Sequence, residues 1–129
     1  NLKAEVGKMS KILVVDDERS IRNSMKEVLE FEGHVVTLAE DGETGLKEAE
    51  KEQFDLVFSD IKMPKMDGIE LLAKMRQLQP STKMILISGH GTIETAVQCM
   101  RNGAFDFIEK PMNLNRLLQA VKELKRITR

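Results

Sequence analysis

The chain has 129 residues, of which 41% are hydrophobic and 32% are charged, and its formal net charge is -1. This length suits one domain, and the near-neutral charge gives no broad electrostatic reason to bind nucleic acid or an anionic membrane. Without a long apolar run, the sequence predicts neither a membrane span nor a secretory signal. The single cysteine, Cys99, excludes an internal disulfide and fits a reducing compartment, so we expect a cytoplasmic protein.

The two ends of the chain differ from the rest. Asn1 to Lys8 carry no strand pattern and precede Met9, and we interpret them as a cloning remnant or a disordered arm. Residues 9–129 are expected to form one domain. The basic end, Lys122 to Arg129, has the pattern of an ordinary helix end, where the helix dipole favours cations.

Five short apolar runs predict β-strands. The first, third and fourth are continuous rather than alternating, which is typical of strands covered on both faces. The runs are Lys11–Asp16, His34–Leu38, Asp55–Ser59, Lys83–Ile87 and Ala104–Ile108.

Segments with helical periodicity follow each predicted strand. The segment after the second strand, Gly42 to Gln53, has the weakest helical pattern, because Leu46 and Ala49 are its main apolar residues. Helix starts are expected at Asp67 and Asn113, and left-handed glycines at Gly33 and Gly103. The strict alternation predicts an α/β domain with a doubly wound, five-stranded parallel sheet and helices on both faces.

Polar side chains stand where four of these strands end. Asp16 and Asp17 follow the first, Asp60 the third, Ser88 the fourth and Lys110 the fifth. Because ligands of open parallel sheets bind outside the carboxyl ends of the strands, we expect the three carboxylates to share one crevice. The carboxylates of such a cluster repel one another unless a cation binds between them. Oxygen ligands favour a hard cation, and we expect Mg²⁺.

Asp60 is the predicted nucleophile for phosphoryl transfer, because the tight loop predicted from Ser59 to Gly68 exposes it. Lys110 supplies a positive charge, and Ser88 supplies a hydroxyl. Pro111 restricts the backbone of Lys110 to an extended conformation, and the Lys110-Pro111 bond could be cis, which would fix the direction of the lysine side chain. Each group alone has an ordinary interpretation as a surface acid, turn or loop. Their joint occurrence at four strand ends favours function.

The sequence resembles the receiver domain of two-component response regulators over nearly everything from Lys11 to Lys125. The resemblance implies a flavodoxin-like fold of the chemotaxis-regulator type, with strand order 2-1-3-4-5. The motifs that carry it are Ile12–Glu18, Asp55–Asp60 with Met63-Pro64 and Met66–Gly68, Ile87–Gly89 and Phe107–Pro111.

The resemblance also implies a function. A sensor histidine kinase would phosphorylate Asp60, and the domain would be a regulatory switch that catalyses only its own phosphoryl transfer and dephosphorylation. The implied metal ligands are Asp17, Asp60 and the backbone carbonyl of Lys62, with Asp16 reaching Mg²⁺ through water. Ser88 and Lys110 would contact the phosphoryl oxygens.

Switching in this family couples the Ser88 hydroxyl to an aromatic side chain on strand five, here Phe107. Phenylalanine lacks the hydroxyl of tyrosine-bearing relatives, so packing alone would stabilise its inward state; a plain core side chain is the alternative interpretation. The output surface would be helix 4, strand 5 and helix 5, where a homodimer would also form. Its apolar candidates are Val97, Cys99, Met100, Phe105 and Phe107, some of which must belong to the core.

The segments Ser88–Val97 and Gly103–Pro111 are similar to receivers at the front of sigma-54-dependent transcription activators of the nitrogen-regulation type, which implies control of transcription. This resemblance also implies that the basic end, Lys122 to Arg129, is the start of a linker helix, and an ordinary helix end is the alternative. Two glycines flanking His90 predict a mobile loop. His90 and Lys62 occupy positions that tune phosphate lifetime in the family.

Three other functions can be weighed. A phosphohydrolase of the haloacid-dehalogenase type needs Asp-x-Asp at the end of strand one, where this chain has Asp16-Asp17-Glu18. A flavodoxin-like electron carrier needs aromatic rings around a flavin, and the chain has no Trp or Tyr. A pure interaction domain whose acidic crevice has lost its chemistry stays open.

Overall fold

The structure is a computed structural model that describes residues 10–128. The predicted arm, Asn1 to Lys8, and the last residue of the expected linker helix, Arg129, lie outside the described residues. Within the described range, five strands alternate with five helices. The strands are β1 (Lys11–Val15), β2 (Val35–Ala39), β3 (Leu56–Asp60), β4 (Lys83–Ser88) and β5 (Asp106–Glu109). The helices are α1 (Arg19–Phe31), α2 (Gly42–Lys51), α3 (Gly68–Leu78), α4 (Ile93–Arg101) and α5 (Leu114–Thr128).

The strands form one parallel sheet in the order β2-β1-β3-β4-β5. This confirms the predicted doubly wound sheet and its strand order. The register aligns Val15 with Ser59, and Asp60 with Ile87. Because parallel strands end at the same edge, the residues that terminate β1, β3 and β4 are neighbours there.

The largest difference from the predicted elements is at β5, which begins at Asp106 and not at Ala104. Gly103, with φ of +99°, ends α4 in the left-handed conformation. The Ala104 N–H then donates to the carbonyl of Cys99 at 3.1 Å. That hydrogen bond closes the end of α4, so the Ala104 N–H takes no part in the sheet.

The central strands β1, β3 and β4 are buried on both faces, because alternate residues along each strand point to opposite layers. Leu13 and Val15 face the layer of α2, α3 and α4, whereas Ile12 and Val14 face the layer of α1 and α5. All four side chains are at most 1% exposed. Burying such a side chain stabilises the fold by roughly 1.5–3 kcal/mol, so the strands hold their terminal residues on a rigid frame.

The helix-terminal signals are confirmed. The Asp67 carboxylate accepts from the Glu70 N–H at 2.8 Å, and the Asn113 side chain accepts from the Asn115 N–H at 2.8 Å. Gly33, like Gly103, has a positive φ, of +94°. The weakly patterned α2 is also present, and the Asp41 carboxylate caps its first turn by accepting from the Thr44 N–H at 2.8 Å.

Helix α4 is anchored less firmly than α3. In α3, three large side chains that face the core are at most 1% exposed, whereas α4 buries only Cys99 among its residues, all of which the structure describes. Ile93, Val97 and Met100 are 85%, 42% and 47% exposed. Cys99 therefore belongs to the core rather than to the output surface, as expected for part of that set.

Gly68 fixes the position of the loop that follows β3. A Cβ built on Gly68 would collide with the carbonyl oxygen of Asp60 and lie 2.9 Å from the Cα of Ile61. The Gly68 N–H donates to the carbonyl of Ile61 at 2.8 Å, and the Ile61 N–H donates to the carbonyl of Ile87 at 2.9 Å. Glycine thus allows the start of α3 to touch the end of β3.

We predict that Gly68→Ala lowers the free energy of unfolding by about 2–3 kcal/mol, because the added methyl group meets backbone that cannot move aside. The matched control is Gly42→Ala. Gly42 is also the first residue of a helix after an Asp N-cap, but its Cβ would meet the flexible end of Met66, with Sδ at 2.8 Å. Urea unfolding followed by circular dichroism measures both; equal losses would contradict the assignment.

Candidate functional site

Three carboxylates meet at the carboxyl edge of the sheet. Asp16, Asp17 and Asp60 each present an oxygen, and these oxygens lie within 4.8 Å of one another. Asp16 is 1% exposed and Asp60 is 5% exposed, whereas Asp17 is exposed at the rim. The predicted crevice is therefore present, with its two deeper acids supplied by the adjacent strands β1 and β3.

Lys110 is the cation of this crevice. Its Nζ lies 3.2 Å from Asp16 Oδ2 and 3.3 Å from Asp60 Oδ2, and 3.7 Å from Glu18 Oε1. The Lys110 N–H donates to the carbonyl of Ser88 at 2.8 Å, which ties the lysine to the end of β4. The Lys110-Pro111 peptide bond is cis, one of the two forms that the sequence left open.

The charges in the crevice set the pKa values of its members. Burial raises the pKa of Asp60, the neighbouring Asp16 raises it further, and Lys110 opposes both. Burial lowers the pKa of Lys110, but attraction to Asp16 and Asp60 outweighs burial and leaves this pKa above its ordinary value. The Lys110 ammonium is therefore firmly protonated, whereas ionisation of the neighbouring Asp60 carboxylate is energetically unfavourable.

One buried oxygen of Asp16 has an ion-pair partner but no hydrogen-bond partner among residues 10–128. Its Oδ1 accepts from the Glu18 N–H at 2.8 Å, and its backbone carbonyl accepts from the Arg22 guanidinium at 2.7 Å. Its Oδ2 lies in the ion pair with Lys110 but accepts no hydrogen bond from the described residues. Such an oxygen can hold a water or a cation, and the all-oxygen donor set fits a hard divalent ion such as Mg²⁺.

Sequence reasoning missed the roles of Glu18 and Arg22. Glu18 pairs with Lys110 through its side chain and holds Asp16 through its backbone N–H. Arg22 lies one turn into α1, where nothing in the local pattern separates it from a solvent-exposed arginine. The acidic run Asp16-Asp17-Glu18 was the available signal for Glu18.

The remaining predicted residues lie around the crevice. Ser88 is 5% exposed, and its Oγ accepts from the His90 N–H at 3.1 Å. Phe107 is partly buried and packs against the core on the α4 side of the sheet. Lys62 lies two residues past Asp60 with an exposed side chain, and the role of its backbone carbonyl stays a prediction.

Comparison with known proteins decides the family. Residues 12–122 match the response regulator receiver domain. The chain belongs to this family. Receiver domains generally bind Mg²⁺ at an acidic pocket. In this chain, the cluster of Asp16, Asp17 and Asp60 corresponds to such a pocket.

The receiver domain is similar to several characterised relatives. The C4-dicarboxylate transport transcriptional regulatory protein DctD of Rhizobium meliloti is 39% identical over 111 residues, which cover 86% of this chain and 24% of the relative. A beryllofluoride-activated NtrC4 receiver domain dimer matches with 34% identity and a TM-score of 0.85, covering 90% of this chain and 96% of that one. A response regulator from Burkholderia pseudomallei with a phosphorylated aspartic acid, a calcium ion and citrate matches with 29% identity and a TM-score of 0.80, covering 90% and 71%.

The chain spans about a quarter of the length of matched transcriptional regulators such as DctD and GlrR of Escherichia coli. The sequence motifs indicated a similarity to receivers of the nitrogen-regulation type. In agreement, the chain is similar to the nitrogen assimilation regulatory protein NtrX of Azorhizobium caulinodans. Among the helices of the described residues, none has the length and apolar character that crossing a membrane requires.

The raised pKa of Asp60 predicts a pH-dependent stability in the receiver domain without metal. The folded state binds this proton more tightly than the unfolded state, so stability from this group falls as the pH rises from 3.8 through the folded pKa. Asp60→Asn removes this pH-dependent loss of stability, and the ion pair between Asp16 and Lys110 remains. We expect the variant to be more stable than the wild type at pH 7, with the difference vanishing below pH 3.8.

Urea unfolding in EDTA across this pH range provides the measurement. The control is Asp41→Asn, because hydrogen bonds from Thr44 lower the pKa of Asp41. Its stabilising charge is present at neutral pH and lost in acid, so the control should be less stable than the wild type at pH 7. If Asp60→Asn also loses stability at pH 7, the assignment of a costly buried charge is wrong.

Proposed function

We propose that this receiver domain is a cytoplasmic, Mg²⁺-dependent switch that accepts a phosphoryl group on Asp60 from the phosphohistidine of a sensor histidine kinase. The observation that carries the proposal is the convergence of Asp16, Asp17 and Asp60 within 4.8 Å, with Lys110 paired to the two buried acids. A buried carboxylate beside a lysine and a cation-binding crevice suits in-line attack on phosphorus.

Transfer forms one bond and breaks one. An oxygen of Asp60 attacks phosphorus, the phosphorus–nitrogen bond to the kinase histidine breaks, and its electron pair returns to the imidazole. The Lys110 ammonium lies 3.3 Å from Asp60 Oδ2. With a small movement it can pair with a phosphoryl oxygen and stabilise the negative charge there. The domain catalyses this transfer and its own dephosphorylation, and no reaction on an external substrate is proposed.

Asp17 and Asp60 would hold Mg²⁺ directly, together with the backbone carbonyl of Lys62. Asp16 would reach the ion through water, which would give its Oδ2 the partner that the described residues do not supply. When bound, Mg²⁺ supplies charge neutralisation for the phosphoryl oxygens.

Phosphorylation adds a charge of about -1.5 to -2 and three acceptor oxygens to the crevice. The Ser88 hydroxyl, whose oxygen now accepts from the His90 N–H, would turn to donate to one of them. The loop after β4 then moves, and Phe107 repacks with it. This defines two states, of which the phosphoryl group binds one better.

The output surface in this proposal consists of α4, β5 and α5. Its α4 part exposes Ile93, Val97 and Met100 and is anchored to the core by Cys99. An activated receiver domain similar to this one is a dimer, which supports a homodimer. We propose that this surface forms its interface. Because the relatives are transcriptional regulators, we propose that residues 9–129 form a domain that controls transcription, with the end of α5 leading into a linker.

We predict that acetyl phosphate and Mg²⁺ add one phosphoryl group to the wild type, stable in acid and labile in base, because the product is an acyl phosphate. Intact-protein mass spectrometry measures it. Asp60→Asn should abolish the gain. Asp67→Asn, in an exposed N-cap position where Asn also serves, should retain it. A full gain in Asp60→Asn would show that another residue is the acceptor, and no gain in the wild type would favour a domain that has lost its chemistry.

We further predict that the domain binds Mg²⁺ and that Asp17→Asn weakens binding by about tenfold or more, because a directly bound carboxylate is lost. Asp17 is exposed, so the variant should keep its fold. Titration followed by amide shifts measures the affinity, with Asp67→Asn as the control of equal charge. Equal affinities in the two variants would place the ion elsewhere.

A further inference from the structure

The loop between β4 and α4 touches Phe107 through a glycine. A Cβ built on Gly91 would lie 3.0 Å from Phe107 Cζ and 3.2 Å from its Cε2, and also 3.0 Å from Glu109 Cγ. These distances are tighter than normal van der Waals contact. The backbone of Gly91 is not in the left-handed region, so the space taken by the ring, and not the chain conformation, is what favours glycine here.

We propose that Gly91 is a positioning residue for the switch: its missing side chain gives the Phe107 ring its resting place, and movement of the loop takes that place away. The proposal rests on the proposed function, in which Phe107 and Ser88 change together. It adds the contact that would join them.

Two short steps connect the phosphoryl site to this contact. The His90 N–H donates to Ser88 Oγ at 3.1 Å, and His90 is bonded directly to Gly91. When the Ser88 hydroxyl turns to the phosphoryl group, the His90 N–H must follow it or lose its acceptor. An N–H that follows the hydroxyl moves the neighbouring Gly91, and with it the backbone against which the ring packs.

The strand below the loop cannot absorb this displacement. Phe107 pairs with Leu86 and Glu109 pairs with Ser88 in the sheet, so the backbone of β5 is held by β4. The parts free to move are the ring and the loop. One residue past Gly91, Thr92 caps α4 by accepting from the Thr95 N–H at 3.1 Å, so a moving loop shifts the start of a helix that is weakly anchored.

The test is Gly91→Ala, which fills the place of the ring. Its matched control is Gly89→Ala in the same loop, where the added Cβ would come no closer than 3.8 Å to Lys110 Cδ, an ordinary contact. Both changes remove one glycine from the loop, so they share the effect on the unfolded chain. They differ in the contact with Phe107.

The first measurement is made without any phosphoryl analogue. The chain is labelled with 4-fluorophenylalanine, and the ¹⁹F signal of Phe107 is assigned by its loss in Phe107→Leu. Gly91→Ala should move this signal, whereas Gly89→Ala should leave it at the wild-type position. An unmoved signal in Gly91→Ala, or an equal movement in both variants, overturns the proposal.

The second measurement is the affinity for beryllofluoride in the presence of Mg²⁺. Gly91→Ala disfavours the resting ring position, so it should bind the analogue about fivefold more tightly than Gly89→Ala. In a Phe107→Leu background this difference should disappear, because the two positions are then uncoupled. A difference that persists in that background contradicts the proposal. If the wild type fails to bind beryllofluoride, the proposed function fails and the switch role of Gly91 fails with it, whereas an unmoved ¹⁹F signal in Gly91→Ala overturns the role of Gly91 alone.

Discussion

Repulsion among the three crevice carboxylates, two of them buried, is the interaction on which the whole site depends. Two like charges about 4 Å apart repel by about 4 kcal/mol at an effective dielectric constant near 20, and three acids here approach within 4.8 Å. Lys110 pairs with Asp16 and Asp60 but neutralises only one of the negative charges. The crevice keeps a negative excess. In the proposed function, this excess favours binding of a divalent cation, and the cation then favours binding of a phosphoryl group.

The rest of the fold holds this unfavourable cluster in place. Asp16 and Asp60 adjoin strands that are buried on both faces, and Gly68 locks the loop after β3 against the strand end. The helix on the other side of the site is held less firmly. On the other side, the loop from Ser88 leads into α4, which is anchored by Cys99, and a change of charge in the crevice can therefore be absorbed by movement there.

The strand order and the crevice could be predicted because both follow from local pattern and a general rule. Continuous apolar runs predict buried parallel strands, and such strands bring the acids that follow them to one edge. The start of β5 could not be predicted from its apolar residues, because the Ala104 N–H closes α4 instead of joining the sheet. The contact between Gly91 and Phe107 carries no local signal, since it depends on how a loop packs over a strand.

Locating the bound ion tests the account most directly. Mn²⁺ occupies oxygen sites of this kind and broadens the resonances of nearby amides. If the three carboxylates share one cation, substoichiometric Mn²⁺ will broaden the amides next to Asp16, Asp17 and Asp60 first, and excess Mg²⁺ will restore them. Broadening that begins at the exposed acids of α2, such as Glu43 or Glu50, and leaves the crevice sharp would contradict the account.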